Sequence, residues 1–105
     1  VGASVPSSRE ADDEVVRRGR FYVDFRASAM AQAGELLHAM KAGVVDEGHI
    51  LGEIGNVLNG DVAGRGSDQE ITIYKSLGIA AQDLASAQLI LERARSESVG
   101  TCVPF

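Results

Sequence analysis

Short β-rich runs alternate with helix-patterned segments along this 105-residue chain, and the alternation limits its fold more than any other feature. Three runs predict strands, at Val1–Ala3, Phe21–Val23 and Ile71–Tyr74. Strands separated by helices pair mainly in parallel, because each helix returns the chain to the same end of the sheet. The sequence therefore predicts an α/β fold with three short, mainly parallel strands and flanking helices.

Four helices are expected between and after these strands. Apolar residues at helical spacing, acidic first turns and closing glycines predict them. They cover about Asp12–Arg18, Arg26–Ala42, a stretch from Asp46 as N-cap to Asn59, and Ile79–Arg95. The third rests on one predicted apolar face, formed by Ile50, Ile54 and Val57.

Charge and cysteine content limit the function classes. The net charge is −5 and no run of lysine or arginine exceeds two residues, which argues against a nucleic-acid or anionic-membrane surface. No apolar stretch approaches the roughly 20 residues that span a bilayer. The single cysteine, Cys102, cannot form an internal disulfide. These features favour a cytoplasmic location.

Several polar residues are expected to be structural rather than catalytic. His38 and His49 lack a second ligand at metal spacing, so no metal site is predicted. The carboxylates of Glu35, Glu53 and Asp83 lie on predicted helices, as solvated or capping groups. Cys102 has no neighbouring base in the sequence that would activate a nucleophile.

The glycine-rich stretch 60–67 is expected to be a surface loop. It lacks the Gly-Lys-Ser/Thr ending of a phosphate-binding loop and follows a predicted helix rather than a strand. The chain also contains no G-x-G-x-x-G, so it does not encode the pyrophosphate site of a dinucleotide.

Two segments stand where open α/β sheets bind ligands, at the carboxyl ends of strands. Ser4 follows the first predicted strand, and Ser76, Leu77 and Gly78 lie between a strand and a helix. Backbone N–H groups that point outward could bind a ligand at both places. The alternative is that each serine is a simple N-cap or turn residue.

Ordered stretches covering nearly the whole chain, from Val1 to about Ala94, carry a family resemblance. They are Val1–Pro6 with Arg9 and Glu10, Tyr22–Asp24, Ala33–Leu36, Gly52–Leu58 with Gly60, Gly64 and Arg65 with Ser67 and Asp68, and Glu70–Gly78 with Asp83–Ala85. In this order they resemble the C-terminal portion of the ornithine cyclodeaminase/mu-crystallin family.

The resemblance implies a division of the chain within a longer enzyme. Residues 1–78 would form the C-terminal part of an NAD(P)-binding Rossmann-type domain. Residues 79–95 would form a helix returning to the substrate and dimerisation domain, and residues 96–105 a flexible tail. The glycine-rich dinucleotide turn would lie upstream, so this chain alone is expected to be inactive.

The resemblance also implies site residues and a cofactor. The cofactor would be NAD or NADP, with NADPH favoured, and its nicotinamide end would contact Gly2, Ala3 and the segment Ser76–Gly78. Ser4 would contact substrate or nicotinamide. Gln32, which stands where relatives often have glutamate, would contact the substrate.

Two departures from the family pattern bear on the reaction. Ser4 replaces the aspartate that is typical of the cyclodeaminase and alanine dehydrogenase branches, and serine is a poor general base near neutral pH. Gln32 likewise lacks a charge. Both argue against cyclodeamination, and the Gly2–Ser4 sequence resembles the mu-crystallin branch of ketimine reductases.

The expected function is an NAD(P)-dependent oxidoreductase that reduces cyclic ketimines or acts on amino acids, as a homodimer at full length. Two alternatives stay open. One is ornithine cyclodeaminase, which converts ornithine to proline plus ammonia. The other is a non-catalytic protein that binds NADPH or another small ligand.

Overall fold

Three parallel strands form the centre of the computed structural model, which describes residues 3–104. Strand β1 spans Arg20–Val23, β2 spans Ile50–Glu53 and β3 spans Thr72–Lys75. The sheet order is β2-β1-β3, and β1 pairs in parallel with both neighbours. Its last three residues, Phe21–Val23, are buried, as expected for a central strand of a parallel sheet. The predicted α/β fold with parallel strands is confirmed.

Five helices flank the sheet. They are α1 (Asp13–Arg18), α2 (Arg26–Gln32), α3 (Gly34–Lys41), α4 (Ile54–Leu58) and α5 (Ala80–Glu97), with a 3₁₀ turn at Glu47–His49. The predicted first and last helices are confirmed, with ends shifted by one or two residues. The Asp12 carboxylate caps α1 by accepting a hydrogen bond from the Val15 N–H at 2.8 Å.

The core is small and lies mainly between the central strand and the helices α1, α2 and α3. It consists of apolar side chains that are almost fully buried: Val16, Phe21, Val23, Ala29, Ala33, Leu36, Ala39 and Ile50. This cluster fixes the sheet against one helical layer. The carboxyl ends of the strands therefore share a rigid support.

The predicted helix Arg26–Ala42 is wrong as a single element, because it is broken at Ala33 into α2 and α3. Ala33 has φ −74° and ψ 89°, outside the helical region. The break brings the main chain of Gly34 against the carbonyl oxygens of Val5 and Ser8. Its closing signal is confirmed, since Gly43 takes a positive φ of 71° just after α3.

The predicted helix between Asp46 and Asn59 is also wrong. The stretch contains the 3₁₀ turn, strand β2 and the short helix α4 instead. In β2, Ile50 pairs with Phe21 and the buried Gly52 pairs with Tyr22. Pairing with the central strand thus decides the conformation over the helical spacing of three apolar residues. Asp46 is a cap as predicted, accepting a hydrogen bond from the Gly48 N–H at 2.9 Å.

The remaining strand predictions differ in outcome. The strand expected at Ile71–Tyr74 is confirmed with a shift of one residue. The strand expected at Val1–Ala3 lies almost wholly outside the described residues, and Ala3 itself belongs to no strand. The third strand of the sheet is β2, which the sequence pattern did not predict.

Helix α5 carries an apolar face that the described part of the chain leaves exposed. Leu84 is 71% exposed and Leu91, two turns further on the same face, is 49% exposed. Large apolar groups on a continuous face are typical of a surface that packs against another element. None of the helices within residues 3–104 is long and apolar enough to cross a membrane.

Candidate functional site

The carboxyl ends of β1 and β3 lie side by side, and the residues that follow them form the candidate site. Val23 is in register with Lys75 on one side and with Glu53 on the other. Asp24 and Ser76, the next residues of β1 and β3, therefore emerge at the same edge of the sheet. This edge is where parallel sheets bind ligands.

A buried carboxylate, that of Asp24, organises this edge. Its Oδ2 accepts hydrogen bonds from the backbone N–H groups of Leu77 and Gly78, both at 2.7 Å, and from the Ser76 hydroxyl at 3.1 Å. Its Oδ1 accepts one from the Phe25 N–H at 2.8 Å. The side chain of one residue thus holds the whole turn after β3.

The environment of Asp24 keeps its carboxyl group ionised. Burial by itself raises the pKa of this group, but the hydrogen bonds outweigh it. The N–H groups of Gly78, Leu77 and Phe25 and the Ser76 hydroxyl together hold the pKa of Asp24 below its ordinary value. Asp24 therefore carries a negative charge at neutral pH, without a cationic partner in contact in the part of the chain described.

The hydrogen bonds to Asp24 correct one expectation for the segment Ser76–Gly78. The N–H groups of Leu77 and Gly78 do not point outward to a ligand, because both donate to Asp24. The carbonyl oxygens of Ser76 and Leu77 accept no hydrogen bond from any residue the structure describes. Within the described residues, these two carbonyl groups therefore remain available as hydrogen-bond acceptors for a ligand.

A second buried polar group lies beside the first. The Nζ of Lys75 is 2.8 Å from Oε1 of Glu35, and both side chains are more than nine-tenths buried. The same Nζ donates a hydrogen bond to the carbonyl oxygen of Ala3. The prediction that Glu35 is a solvated or capping carboxylate is wrong, because the break before α3 turns this residue toward β3.

The Lys75 contact brings the Ser4 segment to the end of β3. Ser4 follows Ala3 directly and is exposed. A turn closed by the Ser8 N–H and the Val5 carbonyl at 3.1 Å continues the segment. A Cβ added at Gly34 would lie 1.8 Å from the Ser8 carbonyl oxygen and 2.9 Å from that of Val5. The segment 3–8 therefore lies directly over the start of α3.

The other predicted site residues lie at varied places. Gln32 is exposed at the end of α2, two residues before Gly34. Gly2 lies outside the described residues. The structure thus joins Ala3, the residue before Ser4, to Lys75, the residue before Ser76. Gln32 is near them only in the chain, as the second residue before Gly34.

Both histidines have structural contacts. The His49 Nε2 lies 2.7 Å from the Val16 carbonyl oxygen, and its ring packs on Phe21. The His38 Nδ1 lies 3.3 Å from an Asp13 carboxylate oxygen at the surface. Within the described residues no three His, Cys, Asp or Glu side chains are grouped to hold a metal ion.

The other predicted carboxylates and the free thiol lie outside this edge or support it. Glu53 ends β2 rather than lying on a helix, and its carboxylate accepts from the Arg26 N–H at 2.8 Å, which caps α2. Asp83 lies exposed in the first turn of α5, as predicted. Cys102 is exposed.

Asp24 and Lys75 are the polar residues that the sequence analysis missed. Asp24 had a usable signal, since an acidic residue directly after a buried strand lies at the ligand-binding edge. Lys75 had none in its local pattern, because a lysine at the end of a short strand is usually solvated.

Comparison with known proteins assigns the family. A model of the ornithine cyclodeaminase/mu-crystallin family matches residues 1–98, which is nearly the whole chain. The chain belongs to this family. The family match extends from the Ser4 segment through the whole of α5, so it includes both halves of the candidate site.

Individual members of the ornithine cyclodeaminase/mu-crystallin family resemble the chain along its full length. The alanine dehydrogenase of Archaeoglobus fulgidus is 37% identical over 105 residues, 100% of this chain and 32% of the relative. A Δ1-pyrroline-2-carboxylate reductase of Bacillus cereus is 33% identical over 106 residues, again 100% of this chain and 33% of the relative. The chain therefore spans about a third of the length of these relatives.

A solved family structure supports the fold. The Δ1-pyrroline-2-carboxylate reductase of Thermococcus litoralis, in complex with NADH and L-proline, superimposes with a TM-score of 0.76 and is 40% identical. The match covers 91% of this chain and 30% of that one. This likeness confirms the Rossmann-type architecture expected for the sheet and its helices.

Proposed function

We propose that the protein carrying this chain is an NAD(P)-dependent oxidoreductase that reduces a cyclic ketimine or a related imine of an amino acid. The observation that carries the proposal is the contact between the Lys75 ammonium, at the end of β3, and the carbonyl oxygen of Ala3. It joins the residue before Ser4 to the strand that leads into Ser76–Gly78, at the carboxyl edge of a parallel sheet. Two of the relatives described above are Δ1-pyrroline-2-carboxylate reductases, and their substrate is a cyclic ketimine.

The nicotinamide end of the dinucleotide fits the chemistry of this edge. A nicotinamide carboxamide has an NH₂ donor, and the carbonyl oxygens of Ser76 and Leu77 are acceptors without a partner in the described chain. A Cβ added at Gly78 would meet nothing within 4 Å, so the surface beside this glycine is open. Ser76–Gly78, with Gly2 and Ala3, would hold this end of the cofactor, which supplies the hydride when bound.

Ser4 is proposed to contact the substrate or the nicotinamide through its hydroxyl. The side chain is exposed, while its neighbours on both sides are held by the protein. A hydroxyl can donate to and accept from a substrate without changing charge, which suits orientation better than proton abstraction. Gln32 would provide an uncharged amide to the substrate from the end of α2.

The remaining parts of the protein are proposed from the family and from exposed surface. Residues 1–78 would complete an NAD(P)-binding Rossmann-type domain, and α5, within residues 79–95, would pack on a substrate domain. The exposed Leu84 and Leu91, on one face of α5, support this, because a partner would bury them. Residues 96–105 would be a flexible tail, and the protein would be a homodimer.

The test uses the protein at the length made by its source, with NADH and NADPH in separate assays. Reduction of Δ1-pyrroline-2-carboxylate with consumption of reduced nucleotide is the expected result. Ser4→Ala should lower kcat/KM roughly tenfold, as expected for one lost hydrogen bond. Ser7→Ala, an exposed serine of the same turn, is the matched control and should change little.

Three other outcomes would contradict the proposal. Formation of proline and ammonia from ornithine and NAD⁺, without ketimine reduction, would make the protein a cyclodeaminase. Tight nucleotide binding without turnover of any imine would make it a binding protein. Full catalytic efficiency and unchanged nucleotide affinity in Ser4→Ala would remove Ser4 from the site.

A further inference from the structure

We propose that the buried Lys75–Glu35 pair and Gly34 are positioning residues that fix Ser4 at the reaction site. The inference rests on the proposed role of Ser4 and adds to it the residues through which the fold holds that serine. None of the three touches the reacting atoms on this proposal. Each acts on the main chain next to Ser4.

The two contacts bracket Ser4 in the chain. On its N-terminal side, the Lys75 ammonium donates a hydrogen bond to the Ala3 carbonyl. On its C-terminal side, the main chain of Gly34 lies against the carbonyl oxygens of Val5 and Ser8. An exposed serine would otherwise move with its turn. These two anchors lie one residue away on each side and restrict the main chain on both sides of Ser4.

The ionic character of the first anchor is better explained by positioning than by stability. Removing a lysine and a glutamate from water is costly, and well-packed apolar residues in place of a buried ion pair often stabilise a protein equally well. An apolar pair could not donate to the Ala3 carbonyl. Glu35, 2.8 Å from the ammonium, compensates its charge and fixes its direction.

The second anchor depends on the absence of a side chain. A Cβ at position 34 would lie 1.8 Å from the Ser8 carbonyl oxygen, a backbone atom that cannot rotate away. Gly34 is not among the residues with positive φ and begins α3. Alanine would suit the helix itself at least as well as glycine. The expected effect of Gly34→Ala therefore comes from displacement of the turn 5–8.

The experiment is a mutant cycle in the protein at its natural length. The double variant Glu35→Leu with Lys75→Met removes both charges together and so leaves no unpaired buried charge. We expect it to lower kcat/KM for Δ1-pyrroline-2-carboxylate about as much as Ser4→Ala does, roughly tenfold. The dissociation constant for NADH should change less than kcat/KM, because the Ser76–Gly78 segment stays bound to Asp24. The triple variant, which adds Ser4→Ala to the double variant, should have a kcat/KM no lower than that of Ser4→Ala alone. The control is Lys41→Met, at an exposed lysine.

The outcomes separate this inference from the proposed function. If Ser4→Ala impairs catalysis while the folded double variant has full efficiency, the positioning role is refuted and the function stands. If the losses multiply in the triple variant, the pair acts on general structure, which also refutes it. If Ser4→Ala has no effect, the proposed role of Ser4 fails first. If the double variant does not fold, Gly34→Ala decides. A roughly tenfold loss of kcat/KM that does not grow when Ser4→Ala is added supports positioning. Full catalytic efficiency in Gly34→Ala overturns it.

Discussion

Replacing Asp24 with asparagine should destabilise the chain strongly, because its carboxylate serves four donors with two oxygens. An asparagine has one acceptor oxygen, and its NH₂ group must face the donors on the other side. If the oxygen stays toward Leu77 and Gly78, the Phe25 N–H loses its acceptor, which costs about 1–3 kcal/mol. The three bonds that remain, from the Leu77 and Gly78 N–H groups and the Ser76 hydroxyl, lose their ionic character, about 1 kcal/mol each. The expected loss is about 4–6 kcal/mol.

Urea unfolding followed by far-ultraviolet circular dichroism measures this loss. Asp68→Asn is the matched control, since Asp68 is exposed directly after the glycine-rich loop, and it should stay within about 0.5 kcal/mol of the original protein. Hydrogen exchange gives a local check. The amides of Leu77 and Gly78 should exchange faster in Asp24→Asn by a larger factor than amides of α5.

The pH dependence supplies the refuting result. The pKa of Asp24 is lower in the folded chain than its ordinary value near 4. The carboxylate therefore contributes its full stability above that ordinary value and loses it as the pH falls through the folded pKa. The difference between Asp24→Asn and the original should be largest near neutrality and shrink below about pH 4. A difference that stays constant into acid, or one no larger than that of Asp68→Asn, would refute the argument.

Three further predictions concern the core and its contacts. Leu36→Ala should cost about 2–5 kcal/mol in urea unfolding, whereas Leu58→Ala, at an 80% exposed residue, should cost little; equal effects would contradict the packing. Tyr22→Phe removes a 2.9 Å hydrogen bond to the glycine-rich loop, which should cost about 1 kcal/mol. Limited proteolysis of that loop should therefore be faster, and an unchanged rate would contradict the role of the hydrogen bond. His49 should show the Nε2–H tautomer in nitrogen-15 spectra, because the Val16 carbonyl only accepts; a dominant Nδ1–H form would be inconsistent with the 2.7 Å contact.

The sequence predicted those elements whose signals are local. Helix α1 has an Asp12 cap and a glycine stop, and α5 has a long helical pattern. Strand β3 has β-branched and aromatic residues between turns. Each of these is specified by its own residues, and each appears within about two residues of its predicted ends.

The errors arose where distant contacts decide the conformation. Ile50–Glu53 became a strand because β1 offers it a pairing edge, which no pattern within the segment reveals. The break at Ala33 depends on the turn near Ser8, which is 25 residues earlier in the chain and packs against Gly34. A helical pattern indicates which residues can share a face, but it does not indicate which distant segment packs against that face.

The candidate site likewise combines residues that have a local sequence signal with residues whose role depends on distant contacts. Position after a predicted strand was the signal for Ser4 and for the Ser76–Gly78 segment, and their roles stay predictions. The supporting carboxylates were not recoverable in the same way. Glu35 looks like an ordinary helical carboxylate until Lys75 is brought within 2.8 Å across the fold. Burial of a charge is a property of the folded chain, and a single sequence does not contain it.

The end of β3 joins the two halves of the site through consecutive residues. Lys75 is buried and its ammonium donates a hydrogen bond to Ala3, while the next three residues donate hydrogen bonds to Asp24. One short stretch thus supports the nicotinamide side through Asp24 and the Ser4 side through Lys75. The two supports use different side chains, so mutations in them should give different kinetic defects. Asp24→Asn should weaken NADH binding, because the Ser76–Gly78 carbonyls lose their orientation. The Lys75 and Glu35 changes should instead lower turnover more than they lower nucleotide affinity. If both variants gave the same kinetic defect, the site would have one support rather than two.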